Sequence, residues 1–71
     1  MKTDVNKDFG KRVAELRKAA GYSQEQFAFQ CGVDRTYIGT IERGEKSPTL
    51  NTISKLASAL NISLAELFLY Q

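Results

Sequence analysis

Residues that start helices and residues that stop them alternate along this chain at close intervals. Ser23, Asp34, Thr49 and Ser63 are of the types that cap helix N-termini, because a short side-chain oxygen can accept from a free backbone N–H. Gly21, Gly32, Gly44 and Asn61 are of the types that end helices, because they enter the left-handed region at little cost. A chain punctuated this often cannot build one long element. It folds as short helices whose apolar faces are buried only against each other.

The first helix is expected from about Asn6 to Ala20. Phe9, Val13, Leu16 and Ala20 recur at three- and four-residue steps and form one apolar stripe, with Lys7, Lys11, Glu15 and Lys18 off it. Ser23 and Gln26 have the spacing of a capping box and open a second helix through Phe27, Ala28 and Cys31. Gly32 ends it, Val33 is an apolar turn residue, and Asp34 caps a third helix carrying Tyr37, Ile38 and Ile41 up to Gly44. Pro48 disfavours helix at Ser47, so Glu45 to Pro48 is a loop. Thr49 or a neighbour starts a fourth helix with Leu50, Ile53, Leu56, Ala57 and Leu60 on its inner side, and Asn61 stops it. Ser63 and Glu66 form a second capping box over a last turn or two through Leu67 and Phe68. The expected fold class is all-α, a compact five-helix domain without strands.

With 71 residues the chain is expected to be one domain over residues 1–71. Folding at this size buries only roughly 60% of the unfolded surface, so stability is marginal unless something adds to it. The chain has one cysteine and no histidine, which excludes an internal disulfide and metal sites built on clusters of these residues. Cys31 is expected to be a small buried apolar residue. No apolar run approaches the ~20 residues of a membrane span. The N-terminal stretch Met1 to Asp8 is polar, unlike a signal peptide. A cytoplasmic, soluble protein without cofactor or small-molecule ligand is expected. The net charge of +2 is compatible with nucleic-acid binding but equally ordinary for any soluble domain.

Two short helices joined by a tight glycine turn, spanning about residues 23–44, make a helix-turn-helix unit. Phe27, Ala28, Val33, Ile38 and Ile41 form its inner face, and Ala28 is small where the helices approach closely. A helix held proud of the surface in this way fits the major groove of DNA, roughly 12 Å wide. The spaced positions Gln24, Ala28, Gly32-Val33, Ile38, Ile41 to Gly44, Pro48 to Leu50, Leu56-Ala57 and Leu60 resemble the lambda and 434 repressor/Cro type of helix-turn-helix domain, the XRE family. The resemblance extends from about Phe9 to Phe68. The stretch Asp34 to Gly39 with Ile41 to Gly44 is especially similar to the controller proteins of restriction–modification systems. It implies a lambda-repressor-like fold, double-stranded DNA as partner, and a homodimer that regulates its own operon, with RNA polymerase a candidate partner.

The resemblance and the expected geometry together assign roles. Arg35 and Thr36, in the first turn of the third helix, are the candidates for base readout, since arginine pairs bidentately with guanine. Thr40 lies one turn further on the same face. Gly39 lies between them, either to let the DNA approach bare backbone or as a tolerated neutral glycine. Gln24 is expected to bind phosphate at the second helix N-terminus; the resemblance implies that it also braces the recognition helix against the backbone. Tyr37, Arg43, Lys46, Ser47 and Thr49 are further phosphate candidates, although a charged loop residue such as Lys46 is often only solvated. The resemblance pairs Arg17 with Glu42 as a structural ion bridge.

Leu64, Phe68, Leu69 and Tyr70 offer more apolar area than so short a last helix can bury, which marks a dimerisation tail at about residues 61–71. The alternative is that Leu67 and Phe68 cap the core while Leu69 and Tyr70 hang free. An enzyme is disfavoured: there is no histidine base, no pair of carboxylates around a cleft, and no phosphate-cradling glycine loop. A stronger rival is a protein-interaction module on the same fold, as in antitoxins or coactivators. The polar, basic outer face of the third helix argues against it, because a docking helix presents an apolar stripe.

Overall fold

The computed structural model describes residues 4–70; Met1 to Thr3, the start of the polar N-terminal stretch, and Gln71 lie outside the described residues. Five helices follow in order: α1 Val5–Ala19, α2 Gln24–Cys31, α3 Arg35–Glu42, α4 Leu50–Leu60 and α5 Leu64–Leu67. Among the described residues all regular structure is helical. Helix α3 packs against both α1 and α2, α2 also packs on α4, and α4 carries α5.

The helix starts follow from local hydrogen bonding. Asp4 accepts from the Lys7 N–H at 3.1 Å and starts α1 at Val5, one residue earlier than Asn6. Ser23 and Gln26 satisfy one another's backbone N–H groups at 3.0 and 2.9 Å, and Ser63 and Glu66 do the same at 3.1 and 3.2 Å. Asp34 and Thr49 cap α3 and α4 through the N–H groups of Thr36 and Thr52. Each side chain pairs a donor that the helix itself leaves open.

The core is formed by Val13, Phe27, Ile38, Ile41, Leu56 and Leu67, all fully buried, with Phe9, Ala28, Cys31 and Ala57 around them. Two stripe positions fall elsewhere than the periodicity predicts. Ala20 is the C-cap of α1 and is exposed, because the chain has already turned away toward Gly21. Leu50 is 84% exposed. The buried face of α4 centres on Thr52, Leu56 and Ala57, and Leu50, in the first turn, lies beyond its edge.

Gly10, inside α1, is buried where that helix crosses the end of α3. A Cβ there would fall on the Ile41 carbonyl oxygen and 2.7 Å from that of Glu42. Only glycine admits this approach of backbone to side-chain position. The crossing fixes α3 against α1. Arg12, also on α1, donates to the Leu67 and Glu66 carbonyls at 3.3 and 2.7 Å, holding the free end of α5.

Candidate nucleic-acid interface

Gly32 ends α2 with φ 71°, and the Val33 N–H donates to the Ala28 carbonyl at 3.0 Å, so three residues suffice to redirect the chain into α3. Ile38 and Ile41 turn inward, which leaves the opposite side of α3 to solvent. Arg35 and Thr36 lie there, exposed, in the first turn. Thr40 is half-buried, and its hydroxyl donates to the Thr36 carbonyl at 2.6 Å. Tyr37 is half-buried and packs against the core.

Gln24, Arg35, Thr36, Gly39 and Arg43 line one shallow cleft of about 180 Å³ between the starts of α2 and α3. Gly39 is buried in it, with Arg43 Nη1 3.1 Å from where a Cβ would stand. A larger cavity of about 550 Å³, lined by Ala20, Tyr22, Glu25 and Phe29 among others, contains none of the sequence-predicted groups. Its walls carry no cation, so the smaller cleft is the one chemically suited to an anionic ligand.

Beneath the cleft the polar groups are paired. Arg17 donates from Nε to Glu42 Oε2 at 2.6 Å, from Nη2 to Oε1 at 3.1 Å, and from Nη1 to the Tyr22 carbonyl at 2.8 Å. Gln24 Nε2 donates to the same Glu42 Oε1 at 2.9 Å. The start of α2, the end of α3 and α1 are thus tied at one carboxylate. At the surface, Arg43 donates from Nε and Nη2 to the two Glu45 oxygens at 2.9 and 3.2 Å. That hydrogen bonding holds the Glu45 carboxyl below its ordinary pKa and raises that of Arg43.

In the following loop Lys46 is exposed, the Ser47 hydroxyl donates to Asn6 Oδ1 at 2.9 Å, and the Thr49 hydroxyl is engaged as the α4 cap. In the tail, Leu64, Phe68 and Leu69 are 50%, 47% and 75% exposed. The Phe68 ring stacks on Phe9 with centroids 5.2 Å apart. Tyr70 is half-buried and lines a polar groove with Asp8, Lys11, Arg12 and Glu15. Cys31 is buried, and burial pushes its thiol pKa up to about 11, so it stays a neutral thiol. Among the described residues no cluster of His, Cys, Asp and Glu has the makings of a metal site, and no helix is long and apolar enough to cross a membrane.

Gly10, Arg12 and Glu45 contribute without being among the sequence-predicted residues. A glycine inside an amphipathic helix is itself a signal of close packing. Arg12 and Glu45 carry no such signal, since their partners are set by how the helices cross and where a loop ends.

A short helix, a three-residue turn and a second helix with a polar, basic outer face define a helix-turn-helix domain. Residues 13–67 match the helix-turn-helix family HTH_3. The chain is 41% identical over 66 residues to the control protein C.MunI of a Mycoplasma species, covering 92% of this chain and 89% of that one. Among solved structures it is similar to the restriction–modification controller protein C.AhdI from Aeromonas hydrophila, with a TM-score of 0.85 and 52% identity, covering 87% of this chain and 94% of that one. It is also similar to SinR, the master regulator for biofilm formation, solved in complex with DNA, with a TM-score of 0.79 and 32% identity, covering 83% and 95% of the two chains. The chain belongs to the XRE-type helix-turn-helix family of DNA-binding transcription regulators.

Proposed function

We propose that this protein is a sequence-specific regulator that binds double-stranded DNA as a homodimer on a palindromic operator and controls a restriction–modification operon that includes its own gene. The observation that carries the reading is the cleft at the start of α3, where exposed Arg35 and Thr36 stand beside Gln24 and Arg43. A guanidinium and a hydroxyl in the first turn of a helix proud of the surface match what major-groove base edges require. Similarity to controller proteins over nearly the whole chain supports the narrower assignment. Residues 1–71 act as one DNA-binding domain, in the cytoplasm, with no cofactor. RNA polymerase is a partner where the operator adjoins a promoter.

The homodimer rests on the apolar tail, where Leu64, Phe68 and Leu69 are 50%, 47% and 75% exposed. A two-fold axis through it would present two α3 helices to half-sites about 34 Å apart. A protein-docking module is the second reading, favoured by one observation: Phe29, on the outer side of α2, is 83% exposed.

A gel-shift titration of the wild type and Arg35→Ala on the DNA upstream of the gene, against unrelated DNA and at two salt concentrations, tests the proposal. Tight, salt-sensitive binding that loses its preference in the variant supports it. Weak binding, equal on all DNA and indifferent to the variant, favours the docking module.

A further inference from the structure

We propose that Arg43 is a further specificity-determining residue, seated by the missing Cβ of Gly39 and oriented by Glu45. The inference rests on the DNA-binding reading and assigns Gly39 a role within it.

Gly39 lies inside α3, where glycine weakens the helix relative to alanine. It is buried, and what covers it is the side chain one turn further on. The Arg43 N–H donates to the Gly39 carbonyl at 3.0 Å, and long helical side chains lean back over the preceding turn. A Cβ on Gly39 would stand 3.1 Å from Arg43 Nη1 and 3.9 Å from Cζ. A Cβ there would press on Nη1, and the guanidinium would have to give way by a few tenths of an ångström.

Glu45 fixes how the guanidinium is turned. Its two oxygens take Nε and Nη2, and Nη1 is left over Gly39, at the cleft lined by Gln24, Arg35 and Thr36. A planar fork held along one edge presents the remaining nitrogen in a defined direction, which a lysine could not do. Because Glu45 cancels the charge of Arg43, the pair adds direction to the interface rather than net attraction for phosphate. Arg43 thus acts beside Arg35 as a second donor to base edges, and Gly39 and Glu45 are its positioning residues.

The test begins with duplexes selected by the wild type from a randomised pool. The ratio of affinities for the selected duplex and unrelated DNA is then measured for wild type, Gly39→Ala, Arg43→Met, the double variant and Glu45→Gln. Gly39→Ala should melt no lower than wild type, since alanine favours helix, yet lose about tenfold in the ratio, the scale of one base contact. In the Arg43→Met background the same change should cost nothing further, and Glu45→Gln should lower the ratio as well. An unchanged ratio in Gly39→Ala overturns the proposal by making Gly39 a neutral glycine. Additive losses from Gly39→Ala and Arg43→Met also overturn it, since the DNA itself would then need the bare backbone. A wild type that selects no duplex fails earlier, and rejects DNA reading as a whole.

Discussion

Arg17 and Glu42 meet edge to edge, with Nε 2.6 Å from Oε2 and Nη2 3.1 Å from Oε1, and both side chains are nearly out of solvent. Two parallel donors on one carboxylate fix the relative rotation of α1 and α3 as well as their distance. Gln24 adds a third donor to Glu42 at 2.9 Å, so the start of α2 is registered against the same point. The angle at which α3 is presented depends on this carboxylate.

Replacing Glu42 should therefore be far more damaging than replacing Glu45, three residues on. Glu42→Ala strands the buried Arg17 guanidinium, at a cost of about 3–5 kcal/mol. Glu45 is exposed, and Glu45→Ala should leave the melting midpoint near that of wild type. Thermal or urea unfolding of both variants checks this, and equal midpoints would refute it.

Gly10→Ala should destabilise the fold although alanine is the better helix former. The new Cβ would meet backbone oxygens of Ile41 and Glu42, which cannot move without shifting α3. Overpacking of this kind costs about 1–3 kcal/mol, more than the roughly 1 kcal/mol gained in propensity. A urea midpoint equal to or above wild type would show that α1 and α3 part easily.

In the proposed homodimer, Leu69→Glu should give a monomer, since Leu69 is 75% exposed at the end of the apolar tail. Loss of the second half-site contact should weaken operator binding by about tenfold or more. Sedimentation velocity read beside a gel shift gives both quantities. A variant that stays dimeric places the interface elsewhere.

The Cys31 thiol should make stability fall with rising pH in a defined window. Its pKa is raised by burial from 9.0 to about 11, so the unfolded chain gives up the proton first. The contribution is fully present below about pH 9 and is lost as pH rises to about 11, up to about 3 kcal/mol. Urea unfolding of wild type and Cys31→Ala across that range should show a steeper decline for wild type. Parallel declines would mean that the thiol is not desolvated.

The local parts of this fold were legible in the sequence, and the tertiary parts much less so. Ser23, Asp34, Thr49 and Ser63 act on N–H groups within three residues, so local pattern locates the starts of α2, α3 and α5 and narrows that of α4 to Thr49 or a neighbour. Leu50 misled because an apolar residue at a helix start can satisfy the periodicity and still lie past the edge of the contact. The exposed pair Arg35 and Thr36 follows from the inward turn of Ile38 and Ile41, which periodicity does give. That the Arg43 guanidinium is turned with Nη1 over Gly39 does not follow, because Nε and Nη2 are engaged by the Glu45 carboxylate in the next loop. Arg12 likewise finds carbonyls on a helix more than fifty residues away, at Glu66 and Leu67.

Guanine-methylation interference on the selected duplex tests the central claim most directly, because it asks where α3 touches DNA. Two clusters of interfering major-groove guanines, about one helical turn or 10 base pairs apart, are predicted, each losing its effect in Arg35→Ala. Interference that is uniform, or unchanged in that variant, would contradict readout by the first turn of α3.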